Sequence, residues 1–264
     1  MMERVEDDVL NYVMRPYRTQ EPYQLTEHEK TQIDQKNQVF NALSEEFPVS
    51  LGKEVSHKER DERTDLEMDD STLTYGEVDF VSIGEIFAAI NNRYGGIPKG
   101  GKFYDLGSGT GKGVVAAALL HDFEECIGIE LLQGLYNISC SLKNKYDSEF
   151  PKIAGENPDL FESVPKVTMI QGDILEDSWK DASFIFGNST CFDDYMMETI
   201  GSVEVAPGTL AISLTKPFSS EHWHILEKTK KRMSWGEATV YIQRKVDPHQ
   251  ERLERLEFGR ALSS

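Results

Sequence analysis

One short run constrains this chain more than any other: Phe103-Tyr-Asp-Leu-Gly-Ser-Gly-Thr-Gly-Lys-Gly113, where an apolar strand ends on an Asp and breaks at once into closely spaced glycines before an Ala/Val/Leu helix. Such a turn cradles a nucleotide. Gly107, Gly109 and Gly111 let the backbone bend tightly and bring main-chain N–H groups against a ligand, and the helix from Lys112 to Leu120 aims its positive end at the same place. A dinucleotide turn reads Gly-x-Gly-x-x-Gly. Here Gly109 is followed by Gly111 and then Lys112, so the spacing is Gly-x-Gly-x-Gly, which favours S-adenosylmethionine over NAD.

Two further strand ends support that choice. Cys126-Ile-Gly-Ile-Glu130 reads as a second short strand ending in an acid, where a carboxylate accepts hydrogen bonds from both ribose hydroxyls, a feature NAD folds share. Val167-Thr-Met-Ile-Gln-Gly-Asp173-Ile174 ends in an acid followed by an apolar residue, suited to hold the adenine amino group and cover its ring. Each acid taken singly is as well explained as a helix cap or a solvated loop residue. Three of them at successive strand ends converge on one nucleoside.

Composition then excludes several classes. The chain has 264 residues, room for one domain of about 190 residues and an N-terminal extension. Its longest apolar run, Gly113 to Leu120, is too short to span a bilayer, and Met1 to Met14 is too charged for a signal peptide. Cys126, Cys140 and Cys191 are widely separated and odd in number, which suggests neither a zinc knuckle nor a disulfide framework and points to a reducing, cytoplasmic or nuclear compartment. With 46 acids against 28 bases the net charge is −18, which argues against strong nucleic-acid binding and suits basic partners. The histidines show no metal-ligand spacing, and His222-x-His224 reads as exposed rather than a metal site. No Gly-x-Ser-x-Gly elbow is present, and Lys112 lacks the spacing of a phosphate-loop lysine.

Periodicity divides the chain at residue 72. Residues 1–72 are polar and acidic, with helical patterns around Val9–Met14 and Thr26–Phe47, the second opened by a Thr26/Glu29 capping box. They read as a separate helical cap, with Gly52–Asp70 too poor in apolar residues to pack and therefore a mobile link. Residues 73–247 form the main domain. A helix from Phe80 ends at Gly95-Gly96-Ile-Pro98, and strands at 103–106, 126–130, 167–171, 182–187 and 208–214 then alternate with helices near 112–120, 132–146 and 193–201. That alternation means an α/β, Rossmann-like, doubly wound sheet. A helix near 220–231 and a hairpin through Met233-Ser-Trp and Ala238–Gln243 complete a seven-stranded sheet, and 248–264 is a charged, helical tail.

Tyr75-Gly-Glu-Val-Asp-Phe80, Asp105–Gly111, Gly128-Ile-Glu130, Gly172-Asp173, Phe186-Gly-Asn188 and Thr215-Lys-Pro-Phe218 occur in an order and spacing that resemble the disruptor-of-telomeric-silencing methyltransferases, the protein-lysine methyltransferases without a SET domain. The resemblance spans roughly 73–243. It implies a class I methyltransferase that uses S-adenosylmethionine on a protein substrate, a histone or another basic protein. By resemblance, Tyr75, Glu77 and neighbouring backbone hold the methionine end of the cofactor, with Asp105 and Gly107 beneath it. Glu130 holds the ribose, Asp173 and Ile174 the adenine. The resemblance makes Asn188, Phe192, Tyr241 and Tyr75 the expected catalytic residues: the first three line the channel to the sulfonium, Asn188 also touches the cofactor, and the loop from Tyr75 to Phe80 closes over the methionine moiety. Two departures stand out. The family's Asn-Asn-Phe-x-Phe is here Asn188-Ser-Thr-Cys-Phe192, and Val78 stands where a Thr or Ser often follows the Glu.

Methyl transfer needs an aligned, neutral amine and a site that excludes water. Neutral pH lies about three units below the lysine reference pKa, so deprotonation costs about 4–5 kcal/mol unless the channel disfavours the ammonium. Asn188 is placed to orient the amine, with Tyr241 and Phe192 as walls; core packing explains Phe192 and Trp235 equally well. Two other readings stay open at this stage: a small-molecule or RNA methyltransferase, and a cofactor-binding module that has lost activity.

Overall fold

The computed structural model describes residues 21–62, 76–218 and 222–247. Three helices come first: α1 (Glu27–Ser44), α2 (Val49–Glu62) and α3 (Phe80–Arg93). Strands and helices then alternate through β1 (Lys102–Leu106), α4 (Lys112–Leu120), β2 (Glu125–Glu130), α5 (Gln133–Glu156), β3 (Lys166–Gln171), β4 (Phe184–Gly187), α6 (Asp194–Ser202) and β5 (Leu210–Leu214). A hairpin of β6 (Trp223–Met233) and β7 (Gly236–Lys245) follows. The strands form one sheet in the order β3-β2-β1-β4-β5-β7-β6, with only β7 antiparallel to its neighbours. From β1 the chain winds one way through β2 and β3 and the other way through β4 and β5. The crevice above the C-terminal ends at that reversal is where open α/β sheets take ligands.

The central strands are short and apolar because both their faces are covered: β4 and β5 are buried along their whole length. One face packs on α1, α3, α4 and α5 through residues such as Phe40, Phe87, Val115 and Tyr146; the other packs on α6 through Met197 and Ile200, joined by Trp179. No helix among the described residues is long and apolar enough to cross a membrane.

The N-terminal helices are corrections to the expectation of a separate cap on a mobile link. The Thr26/Glu29 capping box is present, but α1 shares the main core: Phe40 stacks on Phe80 with ring centroids 4.8 Å apart, and Ile33 lies against Gly84. Phe80 is therefore buried in the core, not part of a loop over the site. Residues 49–62 form α2, which buries its small residues Gly52 and Ser56 and so packs closely without a large apolar face. The expected helices at Val9–Met14 and beyond Pro248, and the rest of the expected link, lie outside the described residues.

Two other elements differ. The expected helix near 220–231 is strand β6, paired with β7 from Trp223↔Lys245 to Met233↔Gly236 with a register shift at Ile225/Glu227. Helix-forming Lys and Glu residues yield there to the hydrogen-bonded partner strand, which intrinsic propensity does not register. The cluster Lys228-x-Lys-Lys-Arg232 thus lies on an edge strand, where lysines discourage pairing with another chain, and Lys230 and Lys231 bond to Glu237 and Glu85. Helix α5 runs to Glu156 through Pro151, beyond the expected end at 146, because Phe150 and Ala154 keep its apolar face in the core.

Candidate active site

Above the ends of β1, β2 and β4 opens a cleft of about 1100 Å³, its mouth included. Its floor is the glycine turn. Gly107 and Gly109 have φ of 78° and 56°, the left-handed region that lets the chain reverse directly off β1 into α4. Gly111, at φ 80°, is the N-cap of α4 and packs against Met169 and Ser139; it is not among the lining residues.

Carboxylates occupy the strand ends as expected. Asp105, the penultimate residue of β1, is buried against Gly113, and burial, reinforced by the nearby Glu130 charge, pushes its pKa up to about 8. Glu130 ends β2. Its two carboxylate oxygens accept from Gly109 N at 2.7 Å and Leu132 N at 2.8 Å, bonds that favour the charged form, while burial dominates and raises its pKa. Each oxygen keeps a further lone pair for a ligand hydroxyl. Asp173 follows β3, bonds Leu175 N at 2.8 Å through one oxygen, and lines the cleft beside Ile174. Leu131, Leu132 and Leu135 add apolar wall on the same side.

The opposite wall comes from segments distant in sequence. The loop Gly76–Val78 lies at the cleft and is pinned from three directions. Glu77 accepts from Lys112 Nζ at 2.7 Å and Thr110 Oγ1 at 3.3 Å. Its backbone exchanges bonds with Ser234, and Val78 bridges to Met233. The Trp235 ring fills the space a side chain on Gly76 would need, 2.4 Å from an ideal Cβ. Asn188, just past β4, donates to the Gly76 carbonyl at 3.2 Å. The Phe192 ring lies 3.6 Å from a Cβ position on Gly107 and so reaches over the glycine turn.

The altered run after β4 has a structural counterpart. Ser189, fully buried, donates to the Leu214 carbonyl and lies 3.0 Å from that of Lys216. Thr190 donates to Asn188 Oδ1 at 3.0 Å and meets the Thr215 hydroxyl at 3.0 Å. Thr215 has φ 68°, a strained state for a β-branched residue that costs on the order of 1–3 kcal/mol. Hydroxyls of this chain thus tie the end of β4 to the turn after β5.

Of the residues expected at the site, Glu77, Asp105, Gly107, Gly109, Glu130, Asp173, Ile174, Asn188 and Phe192 line one cleft. Tyr75 lies outside the described residues. Tyr241 is a correction: it sits on β7 opposite Ser213, two strands from Asn188, with Lys228 Nζ 5.4 Å over its ring, and does not line the cleft. Sequence reasoning missed Lys112 as the partner of Glu77, and the Ser234–Trp235 clasp. A lysine opening the helix after the glycine turn was the available signal for the first; the clasp joins positions more than 150 residues apart and leaves none.

Reversing sheet, glycine turn and three strand-end acids around one cleft define an S-adenosylmethionine-dependent methyltransferase of class I. The profile of the family described as histone methylation protein DOT1 matches residues 67–240, well over half of the chain, and the chain belongs to that family. Among solved structures it is similar to an RNA methyltransferase from Salinibacter ruber in complex with S-adenosyl-L-homocysteine, at 23% identity over 57% of this chain and 84% of that one, TM-score 0.41. It is also similar to a putative RNA methyltransferase from Pyrococcus horikoshii, at 16% identity over 75% and 100% of the two chains, TM-score 0.49. A search of curated proteins returned no match.

Proposed function

We propose that this protein transfers a methyl group to a lysine side chain of a protein, a histone or another basic protein. The observation that carries this reading is the meeting of the Gly76–Val78 loop, Asn188 and Phe192 at the glycine turn, which makes a walled approach to the cofactor suited to a slender side chain. The description of the family as histone methylation proteins supports it. So does the net charge of −18, which favours a basic partner over a polyanion.

In this reading Glu130 receives the ribose hydroxyls, while Asp173 and Ile174 receive the adenine. Asp105, Glu77 and the amides of the glycine turn, with Gly107 and Gly109 at its bends, hold the methionine end; Tyr75 belongs to the same loop as Glu77. S-adenosylmethionine, when bound, supplies an electrophilic methyl group. The chain's part is alignment and desolvation. Phe192, Phe186 and Met196 give an apolar wall that disfavours an ammonium and lets the acceptor lose its proton to water. Asn188, held by Gly76 and Thr190, would orient the neutral amine toward the methyl group that the cofactor would supply, with the thioether as leaving group and the proton of the new ammonium going to water.

The test is transfer from cofactor labelled in the methyl group to core histones and to a whole-cell protein extract, followed by complete hydrolysis. Label in methyl-lysine is expected, with a rate that rises with pH to about 9 as more acceptor is neutral. Label confined to nucleosides or carboxyl esters would refute the lysine assignment.

A further inference from the structure

Helix α5 begins at the cofactor cleft, yet its own sequence does not cap it. Its N-cap is Leu132, whose side chain makes no capping bond. The first amides of a helix need acceptors. They are supplied from α2, outside the part of the chain matched by the family profile. Glu59 accepts from Gln133 N at 2.8 Å through Oε1 and from Gly134 N at 2.6 Å through Oε2. The preceding amide, Leu132 N, is the one bonded to Glu130. Three consecutive amides at a helix N-terminus are therefore divided between two carboxylates. The seat is closely shaped: a Cβ on Gly134 would lie 2.4 Å from Val55 Cγ1 and 2.9 Å from Glu59 Oε2.

That division matters for the cleft. Leu132 and Leu135 of this turn line it, and Glu130 must hold both Gly109 and Leu132 to keep its remaining lone pairs facing inward. Without Glu59, the Gln133 and Gly134 amides and the positive helix end would compete with Gly109 for the Glu130 carboxylate. Burial raises the Glu130 pKa first, and the Glu59 charge adds to it.

We infer that Glu59 is a positioning residue for the ribose subsite, so that the N-terminal helices form part of the cofactor site. By satisfying Gln133 and Gly134, Glu59 leaves Glu130 to Leu132, Gly109 and the ribose hydroxyls. This rests on the reading that Glu130 receives the ribose.

The experiment is calorimetric titration of the full chain with S-adenosylhomocysteine and with its 2′,3′-dideoxy analogue. The wild-type chain should prefer the parent by about 10-fold or more, the scale of hydrogen bonds to a charged group. Glu59→Ala should shrink that preference to about 2–3-fold while affinity for the dideoxy analogue holds, with Glu59→Gln, which keeps one acceptor, in between. If Glu59→Ala does not fold, the Gln variant carries the test. A merely structural cap would lower the melting temperature and leave the preference at its wild-type value, which overturns the inference. A wild-type chain that binds both ligands equally overturns the Glu130 reading and this one with it, and is recognised because it needs no variant.

Discussion

The two sides of the cleft are built on different principles. On the β1–β2–β3 side, acids at strand ends bond to backbone amides of the turns at those ends: Glu130 to Gly109 and Leu132, Asp173 to Leu175. On the other side, Asn188, Thr190, Thr215, Gly76, Glu77 and Ser234 come from four separate segments and are joined largely by side chains. The first arrangement follows from the sheet and serves any acceptor. The second depends on residue identity. Glu77 apart, which in the proposed reading reaches from this side to the methionine end, cofactor binding and acceptor alignment should therefore fail separately.

The largest effect is expected from Asn188→Ala, which removes the amide that links loop to strand and, in the proposed reading, orients the acceptor. Methyl transfer should slow by on the order of 100-fold, the scale of lost alignment or of one oriented polar contact, with S-adenosylmethionine affinity unchanged. Single-turnover rates beside calorimetry measure both, and an equal loss in affinity would erase the distinction between the sides. Next is Glu130→Ala, which should weaken cofactor binding by about 1.5–3 kcal/mol, the worth of hydrogen bonds to a charged group.

Asp105 sharpens the cofactor side further. Its pKa, raised from 3.8 to about 8 by burial and by Glu130, keeps it protonated at neutral pH. An acid that binds protons more tightly folded than unfolded costs stability as the pH rises between those two values, and the whole cost is present above about 8. Bound positive charge reverses the preference, so S-adenosylmethionine should take up the site with release of up to about one proton at pH 7 and bind more tightly toward pH 8. Calorimetry in two buffers of different ionisation enthalpy reads that proton, and Asp105→Asn should abolish it. The smallest effect is expected from Thr190→Val, which keeps shape but frees Asn188 Oδ1. A rate loss of about 5-fold, roughly one hydrogen bond, should be recovered by Thr190→Ser.

Legibility in the sequence followed the same divide. The glycine turn, β1 to β5, and Asp105, Glu130 and Asp173 could be read directly because strand, turn and acid are contiguous. Asn188 and Phe192 were found through family resemblance, since no local pattern marks them. Tyr241 falls away from the cleft because its distance from Asn188 depends on where β7 enters the sheet, and the contact of Ser234 and Trp235 with the Gly76–Val78 loop has no sequence signal because a hairpin tip meeting a loop is a purely tertiary fact. Helices α1 and α2 were underestimated for a related reason: few apolar residues are needed when Phe40 lands on Phe80 and a glycine and a serine allow close approach.

The most direct test of the separation is a double-mutant cycle on Glu130→Ala and Asn188→Ala, with S-adenosylmethionine affinity and single-turnover transfer at saturating cofactor measured for all four proteins. The affinity loss should belong to Glu130→Ala and the rate loss to Asn188→Ala, with both adding in the double variant to within about 0.5 kcal/mol. A cofactor affinity that falls as far with Asn188→Ala as with Glu130→Ala would contradict the assignment of Glu130 to the cofactor and Asn188 to the acceptor.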